Sequence, residues 1–191
     1  ELKKNLKNFI HYNLDIRNYK KMEKIFKKFK NKIKCIIHTA AHPSHDWAIR
    51  DPLTDFNINA LGTLNLLLLT KKYTPNSVFI NVSTNKVYGD KPNYLPLVEK
   101  KKRFEIKKEH KYYDGINENM TIDQSTHSLF GSSKISADIY AQEFGKNLGI
   151  KTGTFRLGCI TGKNHAGAEL HGFLSYLFKS TKQNLKYTIY G

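Results

Sequence analysis

Apolar and polar positions alternate through residues 8–16, NFIHYNLDI, and predict a strand ending at Asp15. Just after it, Met22, Ile25, Phe26 and Phe29 share one helical stripe with lysines opposite, the pattern of a half-buried helix. Residues 34–41, KCIIHTAA, form the continuous apolar run expected of a buried parallel strand. PSHDWAIRDP, 43–52, reads as a loop, residues 54–72 as a long helix, and SVFINVST, 77–84, as another buried strand. Residues 90–126 are polar, charged and rich in Pro and Tyr; an irregular excursion of that length in a compact domain is usually functional. A helix from about Ser132 carries Ala137, Tyr140, Ala141, Phe144 and Leu148 on one face and stops at Gly149. KTGTFRLG, 151–158, is a further strand, and a last helix covers about 168–182. The order β-α-β-α-β-long loop-α-β-α-β implies an α/β fold with a parallel sheet covered on both faces.

Composition narrows the class. A chain of 191 residues, 39% hydrophobic and 12% aromatic, suffices for one well-buried domain and excludes a disordered segment. No run of 18 apolar residues exists; the greasiest patch, LLLL at 66–69, lies inside a helical segment. ELKKNLKNFI at the start has neither the apolar core nor the cleavage site of a secretory signal, and no initiator Met. The chain therefore reads as processed or partial, with a cytoplasmic location and no membrane partner expected. Cys35 and Cys159, far apart in apolar strand-like surroundings, read as reduced core residues. The net charge of +16 invites a nucleic-acid reading, but it is nearly all lysine spread over helix faces and the loop EKKKRFEIKKEHK. No DNA- or RNA-binding signature accompanies it. Lysines on solvated faces are the expectation, with no nucleic-acid partner.

In a parallel α/β sheet, ligands collect at the carboxyl ends of the strands. Those ends are Asp15-Ile16, Ala40-Ala41-His42, Ser83-Thr84-Asn85 and Leu157-Gly158, small or polar residues that let a cofactor pass close to the backbone. His42 and His45 have a spacing open to a metal pair, but neither a third ligand nor an HExxH helix supports one, so no metal is expected. Trp47 reads as a packing anchor of its loop or a base-stacking ring.

Seven stretches, LDIRN, HTAA, DPLTDFNINALGTLNLL, VFINVSTNKVYGD, FGSSKISAD, FRLGCITG and YTIYG, stand in one order over nearly the whole chain. Together they resemble the extended short-chain dehydrogenase/reductase superfamily, in its sugar-nucleotide epimerases and dehydratases. STNKVYGD looks like the branch of CDP-paratose (CDP-tyvelose) 2-epimerases. The resemblance implies a Rossmann-type, doubly wound parallel sheet, bound NAD and a nucleotide-sugar substrate epimerised through a transient keto sugar. A nucleotide-sugar dehydratase and a catalytically silent sugar-nucleotide-binding homologue are the alternatives. It places Asp15 and Ile16 against the adenine, and Ala40, Ala41 and His42 along the dinucleotide. Asn59 props the site, Ser83 and Arg156 join the cofactor set, and Thr84 bonds the sugar oxygen. Lys134 holds the nicotinamide ribose and lowers the pKa of a catalytic tyrosine. Asn85, Lys86, His127, Asn164, Glu169 and His171 are the substrate candidates, with His165 beside them. The resemblance also implies a homodimer, formed through the helices at 54–72 and 132–149.

Two departures qualify this resemblance. No G-x-x-G-x-x-G loop occurs, so the chain reads as missing the first strands and most of the substrate domain, with residues 1–162 a partial NAD-binding domain and 163–191 the start of the substrate region. An isolated piece of that kind is expected to be poorly stable and inactive. At the tyrosine position stands Phe130, which fills the same space and has no proton to move. Either the chemistry is lost, or another acid/base serves; Tyr88, Tyr112, Tyr113 and His127 are the candidates. Lys134 is retained four residues later, one helical turn away.

Overall fold

Three strands, β1 (Cys35–His38), β2 (Val78–Thr84) and β5 (Lys151–Leu157), lie side by side in that order and organise the computed structural model, which describes residues 7–165, 167 and 172–188. The β1–β2 register is parallel and pairs Cys35 with Val78 and His38 with Asn81. The helices are α1 (Tyr19–Phe29), α2 (His45–Arg50), α3 (Pro52–Phe56), α4 (Gly62–Tyr73), α5 (Ser128–Lys146) and α6 (Phe173–Gln183). Two compact units share the chain: residues 1–83 with 127–155, and residues 84–126 with 156–191.

The core of the first unit joins α1, α4 and α5 to one sheet face through Phe26, Leu66, Leu67, Phe79, Ala141 and Phe144. Fully burying a side chain such as Phe79 or Leu67 contributes about 1.5–3 kcal/mol each, which makes this cluster the main source of the unit's cohesion. The opposite face of the sheet is open: Ile37 is 64% exposed and Phe155 52%. The apolar run of β1 is thus buried only on alternate residues, because no described element of this unit covers its second side. Cys35 and Cys159 are unpaired thiols, but both are exposed and not core residues; Cys35 faces the open side with Ile37.

Residues 8–16 are not a strand. Strands form by pairing, and no described strand lies beside this segment to share its backbone bonds. Helix α4 holds its end instead: the Asn65 amide donates to the Ile16 carbonyl at 3.2 Å. Gly62 allows that approach, since a Cβ there would stand 2.5 Å from Ile16 Cδ1.

The long helix expected at 54–72 is α3 and α4 joined by a π turn at Asn57–Leu61, where the Gly62 N–H reaches back to the Asn57 carbonyl. Residues 43–52 contain α2 and the start of α3 rather than a loop. Ser44 Oγ caps α2 by accepting the Trp47 N–H, and Asp51 caps α3 by accepting the Thr54 N–H, with Pro52 in the first turn. Helix α5 begins four residues before the expected start. Its buried stripe runs through Ala137, Ala141 and Phe144, whereas Tyr140 and Leu148 are exposed. The last helix starts at Phe173, later than expected.

The second unit gives the excursion more order than its composition suggests. Asp90 accepts hydrogen bonds from the Ser125 hydroxyl at 2.8 Å and the Thr126 N–H at 3.0 Å, closing the base of the loop. Within it, β3 (Leu97–Glu99) pairs antiparallel with β4 (Phe104–Ile106), and Val87, Tyr88, Tyr112 and Met120 are buried. Among the described residues no helix is long and apolar enough to cross a membrane.

Candidate active site

Helix α5 opens on Ser128, whose backbone is left-handed (φ 62°), and its first turns carry Phe130, Ser133 and Lys134 inward. Lys134 is 5% exposed and its Nζ donates to the Val82 carbonyl of β2 at 3.0 Å. Burial disfavours the ammonium and lowers its pKa, while the charges of Asp138 and Asp55 pull the other way. One turn earlier, Phe130 is 7% exposed and packs against the ring of His45, with centroids 4.9 Å apart. His45 Nδ1 lies 3.1 Å from Ser128 Oγ, which also accepts the Gly131 N–H.

A buried polar cluster braces this helix, and its centre is a residue the sequence did not single out. Asp55 accepts from Ser133 Oγ at 2.5 Å and from Asn59 Nδ2 at 3.0 Å, with His42 Nδ1 at 3.4 Å. Asn59 clamps His42 from both sides of its backbone: Oδ1 accepts the His42 N–H at 2.8 Å and Nδ2 faces its carbonyl at 3.2 Å. Asn59 therefore ties the turn after β1 to α3 and α5. Ser83, at the far end of β2, donates to Asp138 at 2.6 Å. Asp55, Ser133 and Asp138 carry no signal of their own in the sequence; in a helical pattern a lone acid reads as a solvated position.

His38 sits beneath this cluster. The Thr63 hydroxyl gives its proton to the Asn59 carbonyl at 2.6 Å, so the 2.8 Å contact to His38 is a bond donated by Nε2–H. Burial, and secondarily the Lys134 charge, push the His38 pKa down to about 4. The unfolded chain then binds the extra proton below about pH 6.5 and the folded one does not. Stability contributed by neutral His38 is complete above pH 6.5 and is lost as pH falls toward 4, by about 3 kcal/mol at most. Urea midpoints of the wild type should fall across that window, and those of His38→Asn should fall less.

The other candidates are placed as follows. Ala40 and Ala41 are exposed just beyond β1. Asp15 is engaged by Arg17, whose backbone N–H donates to Oδ1 at 2.8 Å and whose guanidinium grips the carboxylate, at 2.7 Å to Oδ2; this holds the acid below its usual pKa. In the second unit, Thr84 Oγ1 accepts the Lys86 N–H at 3.2 Å and lies 3.4 Å from Asn85 Oδ1; Asn85 and Lys86 are exposed. Arg156 lies over the Tyr88 ring and donates to its hydroxyl at 3.2 Å. His165 Nδ1 lies 2.8 Å from Ser175 Oγ, and Asn164 is exposed. Glu169 and His171 lie outside the described residues. Tyr112 is buried and Tyr113 exposed, both in the second unit; His127 directly precedes α5. His42 and His45 turn to different partners, Asp55 and Ser128, and no set of three metal-binding side chains gathers among the described residues. A small cleft lined by Asn31, Ile33, Lys34, Thr74, Asn76 and Ser77 precedes β1 and β2, at the wrong end of the strands for a ligand.

A parallel sheet with small exposed residues after β1 and a buried lysine reaching across to β2 is the framework of a dinucleotide-dependent α/β enzyme. The donor set fits the nicotinamide-ribose half of such a cofactor: Ala40 and Ala41 leave backbone open, and Lys134 is a cation fixed in a dry setting. Comparison with known proteins gives the family. Residues 2–191 match the NAD dependent epimerase/dehydratase family, and the chain belongs to it. It is 32% identical to the CDP-paratose 2-epimerase of Salmonella typhi over 161 residues, covering 82% of this chain and 44% of that protein. Among solved structures it resembles the NAD complex of the UDP-glucose 4-epimerase of Thermus thermophilus, with a TM-score of 0.72 at 23% identity, covering 94% of this chain and 50% of that one. The UDP-glucose 4-epimerase of Thermotoga maritima, solved with UDP-glucose, gives a TM-score of 0.73 at 22% identity over 100% of this chain and 54% of that one. The parallel α/β fold is thereby shown, and the chain spans about half the length of these relatives.

Proposed function

We propose that the polypeptide carrying this chain is an NAD-dependent epimerase acting at C2 of a CDP-sugar through a transient keto sugar. Lys134 carries the reading: a lysine is kept buried one turn after Phe130, with its ammonium on a β2 carbonyl. An unused site would not keep a buried cation, because burying charge is costly. Family membership and the 32% identity to a CDP-paratose 2-epimerase support the substrate class. When bound, NAD supplies a hydride acceptor that is also the later donor. Lys134 holds the ribose and favours an oxyanion on the sugar, Thr84 orients the sugar oxygen, and Asn59 fixes the turn at His42. Asp15, Ile16, Ala40, Ala41, His42, Ser83 and Arg156 complete the cofactor set. Asn85, Lys86, His127, Asn164, Glu169 and His171 are the substrate residues of this reading, and 163–191 is the start of the substrate region.

Phe130 favours one other reading, a homologue that binds nucleotide sugar without redox turnover. The test is to purify the polypeptide, assay released NAD, and follow absorbance at 340 nm on adding CDP-sugars. A transient rise and a 2-epimer product are expected. Tightly bound NAD that no CDP-sugar ever reduces leaves the binding reading standing and removes the epimerase.

A homodimer through the long helices belongs to the same proposal. Leu53, Phe56 and Leu68 lie exposed along α3 and α4, and Ile139 and Tyr140 on α5, apolar surface that a second copy would cover. Leu68, 41% exposed, is the position to charge. Leu68→Glu is expected to turn a dimer into a monomer in sedimentation; an unchanged dimer would place the interface elsewhere.

A further inference from the structure

We propose that His45 moves the proton that a side chain lacking a hydroxyl at 130 cannot, serving as acid/base for the sugar oxygen; the inference rests on the epimerase reading above. Oxidising a secondary alcohol breaks its C–H and O–H bonds and forms C=O. The hydride leaves with its electron pair to NAD⁺, and the proton needs an acceptor beside the carbon. Phe130 offers none. Its ring nevertheless has an imidazole packed on it, with centroids 4.9 Å apart and planes inclined 59°. That imidazole is on α2, which packs against α5, and Ser44 caps α2.

Ser128 gives the contact its chemistry. Its Oγ already accepts the Gly131 N–H within α5, and His45 Nδ1 stands 3.1 Å away. Either atom of this contact can supply its proton; in the tautomer that donates Nδ1–H to Ser128 Oγ, which the proposed role requires, Nε2 is the basic atom. Nε2 takes the hydroxyl proton as the hydride departs and returns it when the hydride is delivered to the other face of the keto sugar, so protons and electrons balance over the cycle. Lys134, one turn beyond Phe130, stays the fixed cation and is not asked to exchange its proton. The titratable groups on the surrounding elements are Asp46 and Arg50 on α2, Asp51 capping α3 and Asp55 within it, His127 before α5, and Lys134, Asp138, Tyr140, Glu143 and Lys146 within it. Ring contact with Phe130 falls to His45. The neighbouring His42 is committed to the Asp55–Asn59 cluster.

The experiment uses the full polypeptide and three variants, His45→Gln, Phe130→Tyr and the double variant. His45→Gln should lower kcat at least 100-fold with KM for the CDP-sugar changed less than threefold, the size of a lost general acid/base. It should slow the 340 nm half-reaction by the same factor. The double variant should recover at least tenfold over His45→Gln, since tyrosine restores an exchangeable proton one turn before Lys134. That recovery also shows that the fold survives the substitution at 45. A readout without turnover is the ¹H–¹⁵N spectrum of the histidine rings: CDP-sugar should shift the His45 Nε2 signal, identified by its loss in His45→Gln. Turnover above a third of wild type in His45→Gln, or a His45 signal indifferent to CDP-sugar, overturns the role of His45 alone. Wild-type protein that binds NAD and CDP-sugar and never reduces the cofactor overturns the epimerase reading itself.

Discussion

Lys134→Met should give a protein that melts higher than the wild type and has lost turnover at least 100-fold. Both effects come from one feature, an ammonium held where water is scarce. Its lowered pKa means that the charged form is worse off in the fold than in the unfolded chain, so at neutral pH the charge opposes folding. One hydrogen bond to the Val82 carbonyl does not offset that desolvation, and methionine fills nearly the same volume without it. A gain of about 1 kcal/mol corresponds to a rise of about 2–4 °C in Tm for a chain of this size. Under the epimerase reading the substitution also removes the fixed cation beside the developing oxyanion, a loss of about 10²–10³ in kcat. A further check comes from pH. Between the lowered folded pKa and about 10.5 the unfolded chain holds the extra proton, so wild-type stability rises with pH there, and its gap to Lys134→Met should close. A lower Tm for Lys134→Met would mean that Asp138 and Asp55 need the ammonium more than it costs them.

What could be read in advance followed the physics of each signal. The runs that became β1 and β2, the stripe of α1 and the Ala137, Ala141 and Phe144 part of the α5 stripe were legible because burial imposes a period on the sequence. FGSSK located Lys134 and exposed the substitution at Phe130, because spacing along a helix is a covalent fact. The strand expected at 8–16 failed for a non-local reason: alternation says that a segment can pair, and pairing needs a neighbour. The buried runs were half right for the same reason, since Ile37 and Phe155 lie on a sheet face that nothing described in their unit covers. Helix α2 and the start of α3 fall where a loop is expected, although their local signals are present, Ser44 before α2 and Asp51-Pro52 before α3. In the site, Asn59 and Lys134 were found by motif. Asp55, Ser133 and Asp138 were not, because a carboxylate in a helix shows its partners only after α3, α4 and α5 have been brought together.

Asp55 is also where the largest loss of stability should follow from a single change. It is 1% exposed and gathers Ser133, Asn59 and His42, which belong to α5, the π turn and the segment after β1. Asp55→Ala would remove the carboxylate acceptor of the Ser133 hydroxyl and the Asn59 amide, leaving them the Phe130 carbonyl at 3.0 Å and the His42 carbonyl at 3.2 Å, at about 1.5–3 kcal/mol for each lost bond to a charged group. It would also take one negative charge away from Lys134, deepening the penalty already visible in that group. The expected total is about 3–5 kcal/mol, read as a fall in the urea midpoint at constant slope. Asp55→Asn keeps the volume and one acceptor oxygen and should cost about 1–2 kcal/mol, with the amide unable to serve both donors. The two residues can be tested together. If Asp55 matters partly by balancing the ammonium, then Asp55→Ala in a Lys134→Met background should cost at least about 0.5 kcal/mol less than in the wild type, beyond the scatter of independent sites. Strict additivity would show instead that the carboxylate acts only as a hydrogen-bond hub, holding Asn59 and α5 in place without any part in the electrostatics of Lys134.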